Sequence, residues 1–122
     1  HIVLGHVDAV GIIERVETRE SSWMFYIAHP EEFSKYIIQV GSVAINGVSL
    51  TVAERHRNSI GISVIPHTWN NTTFQYLQEG DRVNIEFDVL GKYVIGLLEE
   101  KRSLEINEKE FLSEKHLKEL GY

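Results

Sequence analysis

Two apolar, β-branched runs, Ser42-Val43-Ala44-Ile45 and Val48-Ser49-Leu50-Thr51-Val52, flank Asn46-Gly47. A two-residue type I′ turn needs positive φ at both central positions, which Asn tolerates and Gly adopts freely, so this stretch predicts a β-hairpin. In its second strand Val48, Leu50 and Val52 fall on one face and Ser49 and Thr51 on the other. Alternation alone leaves two readings of that hydroxyl face open: solvated strand residues, or the lining of a site.

Similar patterns recur along the chain. Residues His6 to Glu17 have strand composition, but their alternation breaks around Gly11, which predicts a bulge or a bend at a barrel corner. Thr18 to Ser22 is a polar turn, and Trp23 to Ala28 is the return strand. Pro30 suits the first position of a short helix over 31–36, with Glu31 and Glu32 in its first turn. Asn58 to Ile65 alternates cleanly and stops at Pro66. His67 to Gln78 is polar and irregular, with one or two helical turns suggested by Phe74, Tyr76 and Leu77. After Gly80-Asp81 comes a sixth strand, Arg82 to Asp88, with Val83, Ile85 and Phe87 inward. The tail changes period: Tyr93, Val94, Leu97 and Leu98 recur at helical spacing. A second helix is expected from an N-cap at Asn107, with Glu110 at the capping-box position, to a stop at Gly121. The pattern predicts a mainly β fold: a six-stranded antiparallel barrel over 1–90, short helices, and two C-terminal α-helices over 91–122. Those helices carry apolar stripes suited to the barrel's outside or, preferably, to a neighbouring subunit.

Composition narrows the class. A chain of 122 residues with 43% hydrophobic content forms one soluble domain, and no apolar run is long enough for a membrane helix. A net charge of -6 argues against nucleic acid as a partner. The absence of Cys excludes disulfides, Cys-ligated metal and a Cys nucleophile, which fits the cytoplasm. The chain begins with His1 rather than Met, as expected of a fragment, a processed product or an engineered piece. The sequence holds no Gly-rich nucleotide loop, no nucleophile elbow and no convincing metal-ligand spacing among its six His.

Four segments, taken in order and spacing, resemble the C-terminal barrel of the riboflavin synthase family. They are Gly5-His6-Val7-Asp8-Ala9-Val10-Gly11, the hairpin from Gly41 to Val52, Ile65-Pro66-His67-Thr68 with Thr72-Thr73, and Val83 to Asp88 with Lys92-Tyr93-Val94. The tail, Glu110-Phe111-Leu112 with Gly121-Tyr122, is similar to that family's end. The resemblance implies a Greek-key barrel, the second of a tandem pair, followed by helices that form a homotrimer. It implies a dismutation in which one 6,7-dimethyl-8-ribityllumazine gives a four-carbon unit to another, yielding riboflavin and a ribitylamino-pyrimidinedione. No cofactor and no metal are implied. The site would lie against the N-terminal barrel of a neighbouring subunit, so the chain alone is expected to turn over little or not at all.

Residue by residue, the resemblance makes Ser49 and Thr51 hydroxyls that line the lumazine site. Ile65 and Thr68 would address the pyrimidine edge of the ring, and His6 would contact ligand or move protons. Asp88 would be an acidic group near the site, so His6, Ser49 and Asp88 are the expected catalytic residues. For Thr68 and Asp88 a capping role stays open beside the site role, and for His6 a structural hydrogen bond. Val40 stands where the family often has Lys, removing a cation that could neutralise charge on the ring. Asn46 stands where many members have Asp. Two other functions stay in view: a non-catalytic lumazine- or flavin-binding antenna protein of the same fold, and an interaction domain working through its helices.

Overall fold

The computed structural model describes residues 3–39 and 41–119, and the expectations about Val40 and the helix stop at Gly121 lie outside them. Six strands close into an antiparallel barrel: β1 (Ala9–Thr18), β2 (Trp23–Ala28), β3 (Ser42–Ile45), β4 (Val48–Arg55), β5 (Ser59–Val64) and β6 (Arg82–Phe87). Around the barrel the order is β1-β2-β5-β4-β3-β6. β3, β4 and β5 form a meander; β2 precedes it yet lies beside β5, and β6 follows it yet lies beside β3. Those two crossings are the Greek keys.

Alternation does the sorting. Leu50 and Val52 of β4, Ile60, Ile62 and Val64 of β5, and Val83, Ile85 and Phe87 of β6 all point into one core with Phe25 and Ile27. The hairpin turn has the expected backbone, with Asn46 at φ 48 and Gly47 at φ 81. Asn46 also ties the turn to β6, its Oδ1 accepting the Asn84 N–H at 2.8 Å.

Helical segments plug the barrel's ends. A 3-10 turn (Glu31–Phe33) and α1 (Ser34–Gln39) follow β2 and bring Phe33 and Tyr36 against Phe87, at 5.4 and 5.5 Å between ring centroids. At the other end α2 (Pro66–Asn71) and a 3-10 turn (Thr73–Tyr76) place Phe74 edge-on to Phe25 at 5.2 Å. On the outer wall Arg15 lies 3.7 Å from the Tyr26 ring centroid, and its bond to Glu17 holds the guanidinium above its ordinary pKa.

Three expectations change. The bulge in β1 falls at Glu14, between Ile13↔Ile27 and Arg15↔Tyr26, rather than at Gly11. Gly11 has a different cause: a Cβ there would meet Ile27 Cγ2 at 2.7 Å and the Ala28 carbonyl and Ile85 Cδ1 at 2.8 Å. The irregular stretch after Pro66 begins with a helix, Pro66 serving as its first residue where a missing N–H costs nothing. The two tail helices are one, α3 (Val89–Glu119), and Asn107 lies inside it rather than at a cap. No Gly or Pro separates Leu98 from Asn107, and the intervening Glu, Lys, Arg and Leu are good helix formers.

The chain divides into two compact units, His1–Lys92 and Tyr93–Tyr122. Among the described residues no helix is long and apolar enough to cross a membrane.

Candidate functional site

The outer face of β4 carries the site candidate. Because Leu50 and Val52 are drawn into the core, Ser49, Thr51 and Ala53 must face outward. Ala53 is the extra residue of a second bulge, where the pairing steps from Val52↔Ile62 to Glu54↔Gly61. Antiparallel β5 adds Ser63, which lies between the buried Ile62 and Val64 and so points out of the barrel. The β5–α2 corner adds the rest. Pro66 disfavours helical backbone at the preceding residue, and Ile65 is extended (φ -82, ψ 161) with its side chain exposed. The helix then turns Thr68 back over β4. Its neighbour Trp69 stacks on Trp23 of β2, which holds that turn in place.

Together Ser49, Leu50, Thr51, Ala53, Ser63, Ile65 and Thr68 line an open groove of about 380 Å³. Four hydroxyls stand beside the outward Ala53 and Ile65, Leu50 bordering the groove from its inward-pointing strand position, and no lining residue is charged. Within the described residues, none of the four hydroxyls bonds to another protein group; the Thr68 contact, at 2.6 Å, is made by its carbonyl with the Thr72 hydroxyl. Each free hydroxyl is both donor and acceptor. Such a groove can lay a flat heterocycle on Ala53 and Ile65 while hydroxyls address its polar edge or a polyol side chain.

Four expected site residues, Ser49, Thr51, Ile65 and Thr68, therefore share one groove. His6 and Asp88 do not line it. His6 is exposed on the segment before β1. Asp88 Oδ1 accepts the Leu90 N–H at 3.0 Å, an N-cap bond at the start of α3. Sequence reasoning missed Leu50, Ala53 and Ser63. Period-two alternation marks Ser63 as outward-facing and the short link between β4 and β5 makes them a hairpin, but nothing local shows the bulge at Ala53 that sets their register.

A second polar cluster fixes the segment before β1. The buried Glu86 carboxylate accepts the Leu4 N–H at 2.7 Å and the Gly5 N–H at 3.2 Å. Asp8 accepts the Phe87 N–H at 2.8 Å and meets Lys92 Nζ at 3.1 Å. All of these acceptors and donors are mutually satisfied, so the cluster's role is to hold chain.

A family model for the lumazine binding domain matches residues 4–88. Riboflavin synthase of Actinobacillus pleuropneumoniae is 37% identical over 122 residues, covering 100% of this chain and 56% of that protein. The chain spans about half the length of the curated relatives it matches. Among solved structures, LumP complexed with 6,7-dimethyl-8-(1'-D-ribityl) lumazine aligns with a TM-score of 0.65 at 25% identity, over 72% of this chain and 49% of that one. LumP complexed with flavin mononucleotide aligns at 0.66 and 26%, over 74% and 50%.

Proposed function

Since the chain belongs to the lumazine-binding domain family, we propose that it is the lumazine-holding C-terminal half of a riboflavin synthase, working in the cytoplasm. The observation that carries the reading is the single groove containing Ser49, Thr51, Ile65 and Thr68. Its substrate is 6,7-dimethyl-8-ribityllumazine. In the reaction one lumazine transfers a four-carbon unit to a second, giving riboflavin and a ribitylamino-pyrimidinedione. The methyl group next to the ribityl-bearing nitrogen loses a proton readily because the heterocycle delocalises the resulting charge, so the protein's work is to orient two rings and to pass protons.

The groove's contribution is orientation. Ala53 and Ile65 offer apolar surface to the ring, and the Ser49, Thr51 and Thr68 hydroxyls fix its rotation by bonding to heteroatoms or to the ribityl chain. A groove this open holds one ring and leaves its far side bare, as a half-site awaiting the N-terminal barrel of a neighbouring subunit. His6 and Asp88, which stand outside the groove, would move protons only at a site completed in that way. Trimerisation is assigned to α3, where Leu97, Leu104 and Phe111 follow one another at intervals of seven residues and are all exposed.

A fluorescence titration with 6,7-dimethyl-8-ribityllumazine, watching for riboflavin emission in the same cuvette, tests the reading. Saturable binding without riboflavin is expected. Riboflavin formation would mean that barrels pair productively by themselves, and absence of binding would remove the assignment.

A further inference from the structure

We propose that the groove selects uncharged ribityl-bearing rings and discriminates against their 5′-phosphates, so that riboflavin is held well and flavin mononucleotide poorly. This rests on the ligand-binding reading above and adds the ligand's charge to it.

The lining is the first ground. Ser49, Thr51, Ser63 and Thr68 supply hydroxyls, Ala53 and Ile65 supply apolar surface, and no lysine, arginine or histidine is among the lining residues. Hydroxyls match a ribityl chain group for group, each giving and taking one neutral hydrogen bond. A phosphate brings close to two negative charges. Proteins usually meet that charge with a guanidinium, an ammonium or the free N–H groups at a helix start.

The lining offers no guanidinium or ammonium, and the helix that borders the groove is only six residues long and lacks its first N–H, at Pro66. Several of the barrel's cations are already engaged: Arg15 and Arg19 with Glu17, Arg57 with Glu31, and Lys92 with Asp8. The chain as a whole carries a net charge of -6, which repels an anion further. Setting a dianion beside Ala53 and Ile65 removes some of its water and returns no countercharge. LumP, of similar fold, is solved with flavin mononucleotide, so the fold does not bar a phosphate and the discrimination belongs to the lining residues.

Ser63 and Ala53 then become the positions that set specificity, since each faces the groove from the outer wall of the barrel. The test is a pair of fluorescence titrations of this 122-residue chain, one with riboflavin and one with flavin mononucleotide. The phosphate is expected to weaken binding by about tenfold or more, the scale of one forgone charge-assisted hydrogen bond. Equal or tighter binding of flavin mononucleotide overturns the proposal and leaves the ligand-binding reading standing. Failure of both flavins to bind removes that reading and this one together. Ser63→Arg and Ala53→Arg each supply the missing cation, and at least one should bring the ratio of the two affinities close to one. If both variants stay folded, bind riboflavin and keep the original ratio, the countercharge argument is wrong.

Discussion

Trp69 lies face to face on Trp23, with ring centroids 4.1 Å apart and planes 8° from parallel. One ring belongs to a six-residue helix too short to be stable in isolation, the other to the first residue of β2. The stack therefore holds α2, and with it Thr68, against the barrel. Trp69→Ala is expected to cost about 2–3 kcal/mol, less than a fully buried aromatic because both indoles are half-exposed. Lumazine affinity should fall as well, because Thr68 loses its support. Thermal denaturation read beside the binding titration checks both, and an unchanged melting temperature would show that α2 is held by something else.

Ser49→Ala and Thr51→Val probe the hydroxyl face directly. Both side chains point out of the barrel, so stability should stay within about 0.5 kcal/mol of the parent. Lumazine binding should weaken by about fivefold to tenfold for each hydroxyl removed. A large fall in melting temperature with intact binding would reassign these residues to the fold.

Gly11 is expected to accept no side chain. A Cβ would lie 2.8 Å from the Ala28 carbonyl, and that backbone atom cannot swing aside as a flexible side chain can. Gly11→Ala should cost about 2 kcal/mol or more through overpacking of β1 against β2. Urea denaturation gives the number, and a change under about 0.5 kcal/mol would mean that the strands part there without penalty.

The exposed apolar residues of α3 predict self-association. Sedimentation velocity on the chain cut before Tyr93, and on a Leu97→Asp, Leu104→Asp double variant, should show monomers where the parent forms a larger species. A parent that sediments as a monomer, or variants of unchanged mass, would take trimerisation away from this helix.

Local chemistry was legible in the sequence, and long-range pairing was not. The Asn46-Gly47 turn, the inward set of β6 and the outward Ser49 and Thr51 all follow from backbone sterics and a period of two. The six residues of α2 carry no helical period, so the pattern predicts irregular chain there, and the helix owes its stability to Trp69 on Trp23 and Phe25. Ser63 meets a related limit: its direction and its neighbour strand are readable, but its register is not, because the bulge at Ala53 shifts it. Gly11 marked a real constraint but not its nature, since the crowding comes from Ile27 and Ile85 on two different strands. In the tail, Asn107 with Glu110 imitates a helix start, yet with no breaker before it the helix runs through.

The Asp8–Lys92 pair has a consequence for how such barrels can be joined. It binds the segment that leads into β1 to the residue at which the barrel unit ends, 3.1 Å apart. The chain entering the first strand and the chain leaving the last are thus neighbours, and the barrel can be cut open elsewhere and rejoined here without threading chain across its own wall.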